Sequence, residues 1–392
     1  MLKMLNACTS ELDDEKAAVK DILQGLNLTE NLLKNSAAII TTYQDADENV
    51  VKAIAESLPF DSVGMTTFMS ATENDCDYMQ ISVSVLTSDD VEFAVGCSEE
   101  IVAGSDREFS EALKNTLAKV KNPQAILGYA PLLPYASVDY FVKLVNQIDP
   151  KLMFFSSIVI DSTQGYRLAS TIFNGERMKS RYPFIVLGGA EGAVKLNFAI
   201  ATISPEKALH GRIDAVVSKS APSQLIEINN APVANYLKSL GLSQDKDGSF
   251  IGINAYPIIA DFKDGTQSVI RAIFAFTPDG AAIIGGDIPV GSKISIGEID
   301  VSEIVKTTAN VLGEFVEKNK DANGFILYSC CGRYFNLGFN GIEEAETIRK
   351  IISAAGKPFL FAYVGGEICP VYKNVSETVN RGHNYSCIIA AL

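Results

Sequence analysis

Short apolar runs alternate with amphipathic helical stripes along the chain, and their order sets the first expectations. Residues 1–30 read as one amphipathic helix, with Leu12, Val19, Ile22, Leu23 and Leu26 on its apolar side. AAIITTY (37–43) and SVGMTTFM (62–69) read as strands around a helix near 47–58 that stops at Pro59. ISVSVLT and VEFAVGC flank Ser88-Asp89-Asp90, turn chemistry that predicts a hairpin. Ser105 and Glu108 form a capping box ahead of the stripe Phe109, Leu113, Leu117 and Val120. The strand AILGYA (125–130) precedes a helix opened by Ser137, with Val138, Phe141, Val142, Val145 and Ile148 inward. LMFFSSIVI (152–160) is a strand followed by a polar loop. PFIVLGG and VKLNFAIATI then predict a second hairpin around Ala190-Glu191-Gly192.

SPEKALHGR (204–212) reads as a linker. Beyond it, strands at IDAVVSK and QLIEI precede a helix with Pro at its start and Gly at its end. VIRAIFAFT turns at Pro278-Asp279-Gly280 into AAIIGG. Asp300 caps a helix whose stripe runs Ile304, Val305, Thr308, Val311, Leu312, Phe315 and Val316. The strand FILYSC, an Asn340-capped helix, FLFAYVGGE and YSCIIAAL close the chain. The two halves share an order of elements at a shift of roughly 190–200 residues, too long for a solenoid repeat. Overlaying them sets Ala130 to Leu133 opposite Cys330 to Arg333. The expectation is a mixed αβ (α+β) fold: two related αβ domains from an internal duplication, with largely antiparallel mixed sheets flanked by helices. The competing reading is two unrelated αβ domains built from common motifs. The expected division is an N-terminal helix (1–30), one αβ domain (31–205) and a second (213–392) that carries the polar site.

Composition changes this picture in three ways. At 392 residues and 47% hydrophobic, the chain can fill more than one core. A net charge of −14 argues against nucleic acid, which needs clustered Lys and Arg, and against an anionic membrane surface. Seven cysteines without C-x-x-C pairing read as reduced thiols of a cytoplasmic protein. The opening residues have no secretory pattern, and no apolar run reaches membrane-spanning length, so no membrane insertion is expected.

The chemistry concentrates near the end. FILYSCCGR (325–333) delivers Arg333 just after a strand, a place for bidentate carboxylate recognition. GGEICP (365–370) puts Glu367 after two glycines, where it could take an ammonium group. The plainer reading pairs Arg333 with Glu367. Cys330 and Cys331, read as neighbours on a strand, point to opposite faces. A nucleophilic Cys330 would need His383 as its base. A zinc site from Cys331, Cys369 and His383 lacks paired spacing, and His210 reads as solvated. No phosphate loop, dinucleotide fingerprint, G-x-S-x-G or H-E-x-x-H is present. No cofactor or metal is expected.

These segments resemble the FIST family (F-box and intracellular signal transduction). The likeness runs through VSKSAPSQLIEINNAPVANYLKSLG, VIRAIFAF…DG…GGDIPVGSKI, YSCCGR, GGEICP and RGHN. It extends more loosely to an N-terminal FIST domain in the first half, through VSVLTSDDVEFAVG. The resemblance implies a sensor of small ligands, with amino acids or their derivatives as the class. It implies ligand-binding roles for Cys330, Arg333, Gly366, Glu367, His383 and Asn384. With no kinase, cyclase, chemoreceptor or F-box segment read in the chain, output would pass to a separate signalling protein. The alternatives are a Cys330- or His383-dependent enzyme acting on a small metabolite, and a signalling scaffold without ligand.

Overall fold

The structure is a computed structural model and describes residues 2–203, 215–246, 248–374 and 377–392. Its first unit comprises β1 (Leu2–Thr9), α1 (Glu15–Leu26), α2 (Leu28–Asn31), β2 (Asn35–Tyr43), α3 (Glu48–Ser57), β3 (Ser62–Thr67), β4 (Ser70–Thr72), β5 (Cys76–Asp77) and β6 (Ile81–Ser88). The second repeats that order with β7 (Val91–Cys97), α4 (Arg107–Leu117), β8 (Ala125–Ala130), α5 (Val138–Ile148), β9 (Met153–Ile158), β10 (Thr171–Phe173), β11 (Glu176–Met178) and β12 (Pro183–Gly189).

The third unit starts with β13 (Asn197–Ala201) and is then interrupted by an inserted, all-antiparallel sheet. That insert holds β14 (Ala215–Ala221), β15 (Gln224–Ile228), β16 (Ala231–Pro232), α6 (Val233–Ser239), β17 (Ile258–Asp261), β18 (Val269–Arg271), β19 (Ile273–Phe276), β20 (Ala282–Ile284) and β21 (Lys293–Ile296). The unit resumes with α7 (Val301–Lys318), β22 (Phe325–Cys330), α8 (Cys331–Leu337), α9 (Ile342–Ala354), β23 (Phe359–Val364), β24 (Gly366–Tyr372), β25 (Thr378–His383) and β26 (Cys387–Ala391).

Each unit is built on a parallel pair, β2–β3, β8–β9 and β22–β23, with helix between. Ile39, Ile40, Ile126, Leu127, Ile326 and Leu327 are fully or almost fully buried, the mark of strands covered on both faces. One face of each of the three units' sheets enters a shared core that includes Ile39, Met65, Leu127, Phe155, Ile326 and Leu360, while the insert's sheet packs on a core of its own. The outer faces pack on the helices of their own unit, as where Phe109 and Phe141 lie against the second sheet.

The sheets are finished by exchange. After its parallel pair, each unit sends a short hairpin to the next sheet: β4 pairs with β23, β10 with β3, and β24 with β9. The mixed αβ architecture with mainly antiparallel pairing matches expectation. Residues 2–88 are a further copy of the same order, which the comparison of halves did not bring out. Strands from either side of residues 205–213 share two sheets, so the two expected domains interleave.

Three local expectations change. Residues 2–9 are a strand, because Leu2, Met4 and Ala7 face inward while Lys3 is exposed, and the helix begins only at Glu15. The segments 81–88 and 91–97 form no hairpin, since β6 pairs with β1 and β2 while β7 pairs with β12. β12 and β13 likewise belong to different sheets. Turn chemistry marks a reversal or a corner equally well, and here it makes corners. The expected linker and His210 lie outside the described residues.

The insert docks on the second unit through Arg271, which has no exposed surface. Its Nη2 donates to Asp139 Oδ2 (2.8 Å), Nη1 to the Gly382 carbonyl (2.8 Å) and Nε to the Asp287 carbonyl (3.2 Å). Arg381 pairs with Asp264 of the insert, and both guanidinium groups lie over the Phe262 ring.

Interleaving has a testable cost. A fragment of residues 1–203 lacks β22, β23 and β26 of the third sheet and β24 of the second. It is expected to show no cooperative urea transition by circular dichroism, whereas the full chain does. A stable, cooperatively folding fragment would contradict the strand exchange.

Candidate functional site

The six expected site residues fall in two adjoining places. One is a buried polar cluster at the ends of β22 and β24. The other is an open cleft between the second unit and the insert.

In the cluster, β22 ends at Cys330 and α8 begins at Cys331, so the two cysteines meet at a strand–helix junction rather than pointing to opposite faces. The Cys331 thiol beside it, together with burial, pushes the Cys330 thiol well above the ordinary range. Such a thiol is protonated and inert at neutral pH.

Arg333 sits on α8, and its carboxylate partner is Glu344 of α9 rather than Glu367. Nε and Nη2 donate to Glu344 Oε1 at 3.1 and 2.6 Å. Nη2 also reaches Thr308 Oγ1 (2.6 Å) and the Ile304 carbonyl (3.0 Å), and Nη1 the Tyr385 carbonyl (3.3 Å). Burial works against the charge, and Glu344 outweighs it, holding the Arg333 pKa above its usual value. Glu344 is itself fully satisfied, because Oε2 accepts from Ser329 (2.8 Å) and Tyr363 (3.2 Å). The guanidinium lines a crevice of ≈ 100 Å³ with Glu298, Asp300 and Glu303 at its rim. Three acids there repel a carboxylate guest. The expected carboxylate anchor is thus already occupied.

Glu367 lies directly across from His383 on β25 and from Ser157 on β9. It is completely buried, and among the described residues neither carboxylate oxygen is within full hydrogen-bond geometry of a donor, the Cys330 thiol and the Ser386 amide being its polar neighbours. Burial, reinforced by the neighbouring Cys330 thiol, pushes its pKa well above the usual carboxylate range. That shift favours the protonated, neutral form of the acid. His383 is also neutral: burial and then Arg271 pull its pKa down to about 3, and its Nε2 faces the Cys369 carbonyl at 3.3 Å. Among the described residues, no cluster of three or more His, Cys, Asp or Glu side chains could hold a metal ion.

Asn384 connects the two places. Its Oδ1 accepts from the Ala272 amide of the insert (3.1 Å), and its Nδ2 donates to the His383 carbonyl (2.8 Å). Gly285 of the insert approaches so closely that any Cβ there would collide with the Asn384 carboxamide. Gly366 lies alongside, where a Cβ would stand 3.1 Å from Val138 Cγ1 and 3.7 Å from Asn384 Nδ2.

Asn384 and Gly365 help form the floor of a cleft of ≈ 550 Å³. That size falls within the roughly 300–1,000 Å³ typical of small-molecule sites. One wall is the loop 132–137 and the start of α5, with Leu132, Tyr135 and Lys143. The other is the insert, with Phe274, Ile283 and Asp287. No local pattern marks these residues in the sequence, because the cleft is built from segments far apart in the chain.

Residues 229–370 match the FIST C domain family. The match takes in most of the insert and the third unit as far as the middle of β24. It includes Cys330, Arg333, Gly366 and Glu367, while His383 and Asn384 follow it. No curated protein matches the chain. Among solved structures, a cyanuric acid hydrolase from A. caulinodans aligns with 100% of this chain and 99% of its own, at 9% identity and a TM-score of 0.34. PurL of T. maritima, complexed with ATP, aligns with 99% of this chain and 70% of its own, at 10% identity and a TM-score of 0.20. Scores this low carry no argument about activity.

The raised pKa of Glu367 has a measurable consequence. Between the ordinary Glu pKa and the raised folded value, the folded chain holds a proton that the unfolded chain has released. Stability therefore falls as pH rises through that window. Glu367→Gln removes the penalty, so it should exceed wild type in urea stability at pH 7 by more than about 1 kcal/mol. The gap should narrow toward pH 4. A gap independent of pH would mean that Glu367 is ionised in the fold.

Proposed function

We propose that this protein is a cytoplasmic sensor that binds an amino acid or related small metabolite in the cleft between the second unit and the insert. The observation that carries this reading is the cleft itself. It has the size of a small-molecule site, joins two independently built walls, and has Asn384 bonded to the insert at its floor. Sites of this kind favour domain interfaces. The FIST C match supports ligand binding as the role.

In this reading Asn384, Gly366 and the adjoining Gly365 form or support the floor. Cys330, Arg333, Glu367 and His383 form the rigid layer behind it, and Arg333 fixes α8 against α7 and α9 through Ile304, Thr308 and Glu344. Output passes to a separate signalling protein. The mechanism is a change in how the insert sits on the second unit, since a guest in the cleft touches both.

Native mass spectrometry of freshly purified protein tests the reading, with Ile283→Trp filling the cleft. A small metabolite retained by wild type and lost from the variant is expected. Retention undiminished in the folded variant would remove the cleft from consideration.

The enzymatic alternative has less support. The Cys330 thiol is pushed up rather than down, and His383 faces a carbonyl. Iodoacetamide at pH 7.5 should therefore label Cys330, Cys331, Cys369 and Cys387 only on unfolding, as read by peptide mass spectrometry. Rapid modification of Cys330 in the folded protein would restore the nucleophile reading.

A further inference from the structure

The cleft's lining says more about its guest than its size does. Lys143 lines it and makes no hydrogen bond or ion pair among the described residues. Asp287 lines the opposite wall, where Oδ1 accepts from the Ser223 amide (2.8 Å) and no donor takes its second oxygen among the described residues. The two side chains feel each other electrostatically without forming an ion pair. The nearest other charges, Arg271 and Asp139, neutralise one another at 2.8 Å. One unpaired cation and one carboxylate thus face a common space, in a protein whose net charge of −14 repels free anions.

Between these charges the walls are apolar and exposed. Phe274 keeps 61% of its surface in solvent, Tyr135 45% and Leu132 37%, values unusual for side chains that gather in one place. Phe274 comes from the insert, and Tyr135 and Leu132 from the second unit, so a flat apolar group inserted between them would be covered on both sides.

We infer that the cleft selects a zwitterion with a large apolar or aromatic side chain, its carboxylate held by Lys143, its ammonium by Asp287 and its side chain between Tyr135 and Phe274. This rests on the cleft being the ligand site. Glycine lacks the apolar body, while a bare aromatic acid or amine satisfies only one charge and leaves the other unpaired. Each should bind more weakly.

The test is calorimetric titration of the full chain with L-phenylalanine, 3-phenylpropanoate, 2-phenylethylamine and glycine. L-phenylalanine should bind at least tenfold more tightly than the other three. Lys143→Ala should weaken L-phenylalanine at least tenfold and leave 2-phenylethylamine unchanged. Asp287→Asn, which keeps an acceptor for the Ser223 amide, should weaken L-phenylalanine and leave 3-phenylpropanoate unchanged. Lys143 is exposed, so its variant folds, which a urea titration verifies. Equal binding of 3-phenylpropanoate and L-phenylalanine, or L-phenylalanine binding untouched by both substitutions, overturns the assignment. So does failure of wild type to bind any of the four. If the metabolite displaced by Ile283→Trp is nonetheless found, only this inference falls; if that displacement also fails, the cleft reading falls with it.

Discussion

Hydrogen bonding at the sheet edges is the constraint on which this molecule depends. A strand pair with helices on one side leaves rows of unpaired amides and carbonyls at its margins, and such edges invite association. Here each parallel pair is closed by a strand borrowed from another unit, in a cycle: third to second, second to first, first to third. The exchange lets three small layers share one core, with Met65, Phe155 and Leu360 converging from three sheets. It also places β24 and β25, elements of the third unit, against α5 of the second. The cleft exists because of that crossing.

The buried charges divide the work unequally. Arg333 and Glu344 are both out of solvent, yet almost every polar atom they own is matched, which is what makes a buried ion pair tolerable. Glu367, buried on β24, meets the problem differently: burial raises its pKa and favours the protonated form. Arg271 and Asp139 form the third arrangement, an ion pair that fastens one body to another. Only this last pair spans the walls that a guest would touch.

Much of the fold was legible in the sequence because strands covered on both faces leave nearly continuous apolar runs. AILGYA and FILYSC announce β8 and β22 in this way, and Asp300 announces α7 by capping it at Ser302. The first strand was hidden because only Leu2 and Met4 share one face while Ala7 packs on the other, too short a pattern to stand apart from the helix behind it. The short α8 was hidden for another reason: CCGRYFNL has no amphipathic period, and tertiary contacts of Arg333 and Tyr334 hold it. Glu344 offered a clue, an acid on the same helix face as Ala345, Ile348 and Ile352, where a buried carboxylate needs a cation. The cleft gave no such sign. Lys143 and Asp287 are separated by most of the third unit's insert, and only the docking through Arg271 brings them to one space.

The cyclic arrangement also bears on how the polypeptide could be cut and rejoined. The step from β6 to β7 and the step from β12 to β13 each carry the backbone from one sheet to the next. A step from β26 to β1 would be the same move, and Leu2 and Leu392 border a common groove. Linking those ends and opening the backbone at Asp90 or Glu191 would leave every ladder intact. The architecture has an order of parts but no obligatory starting point.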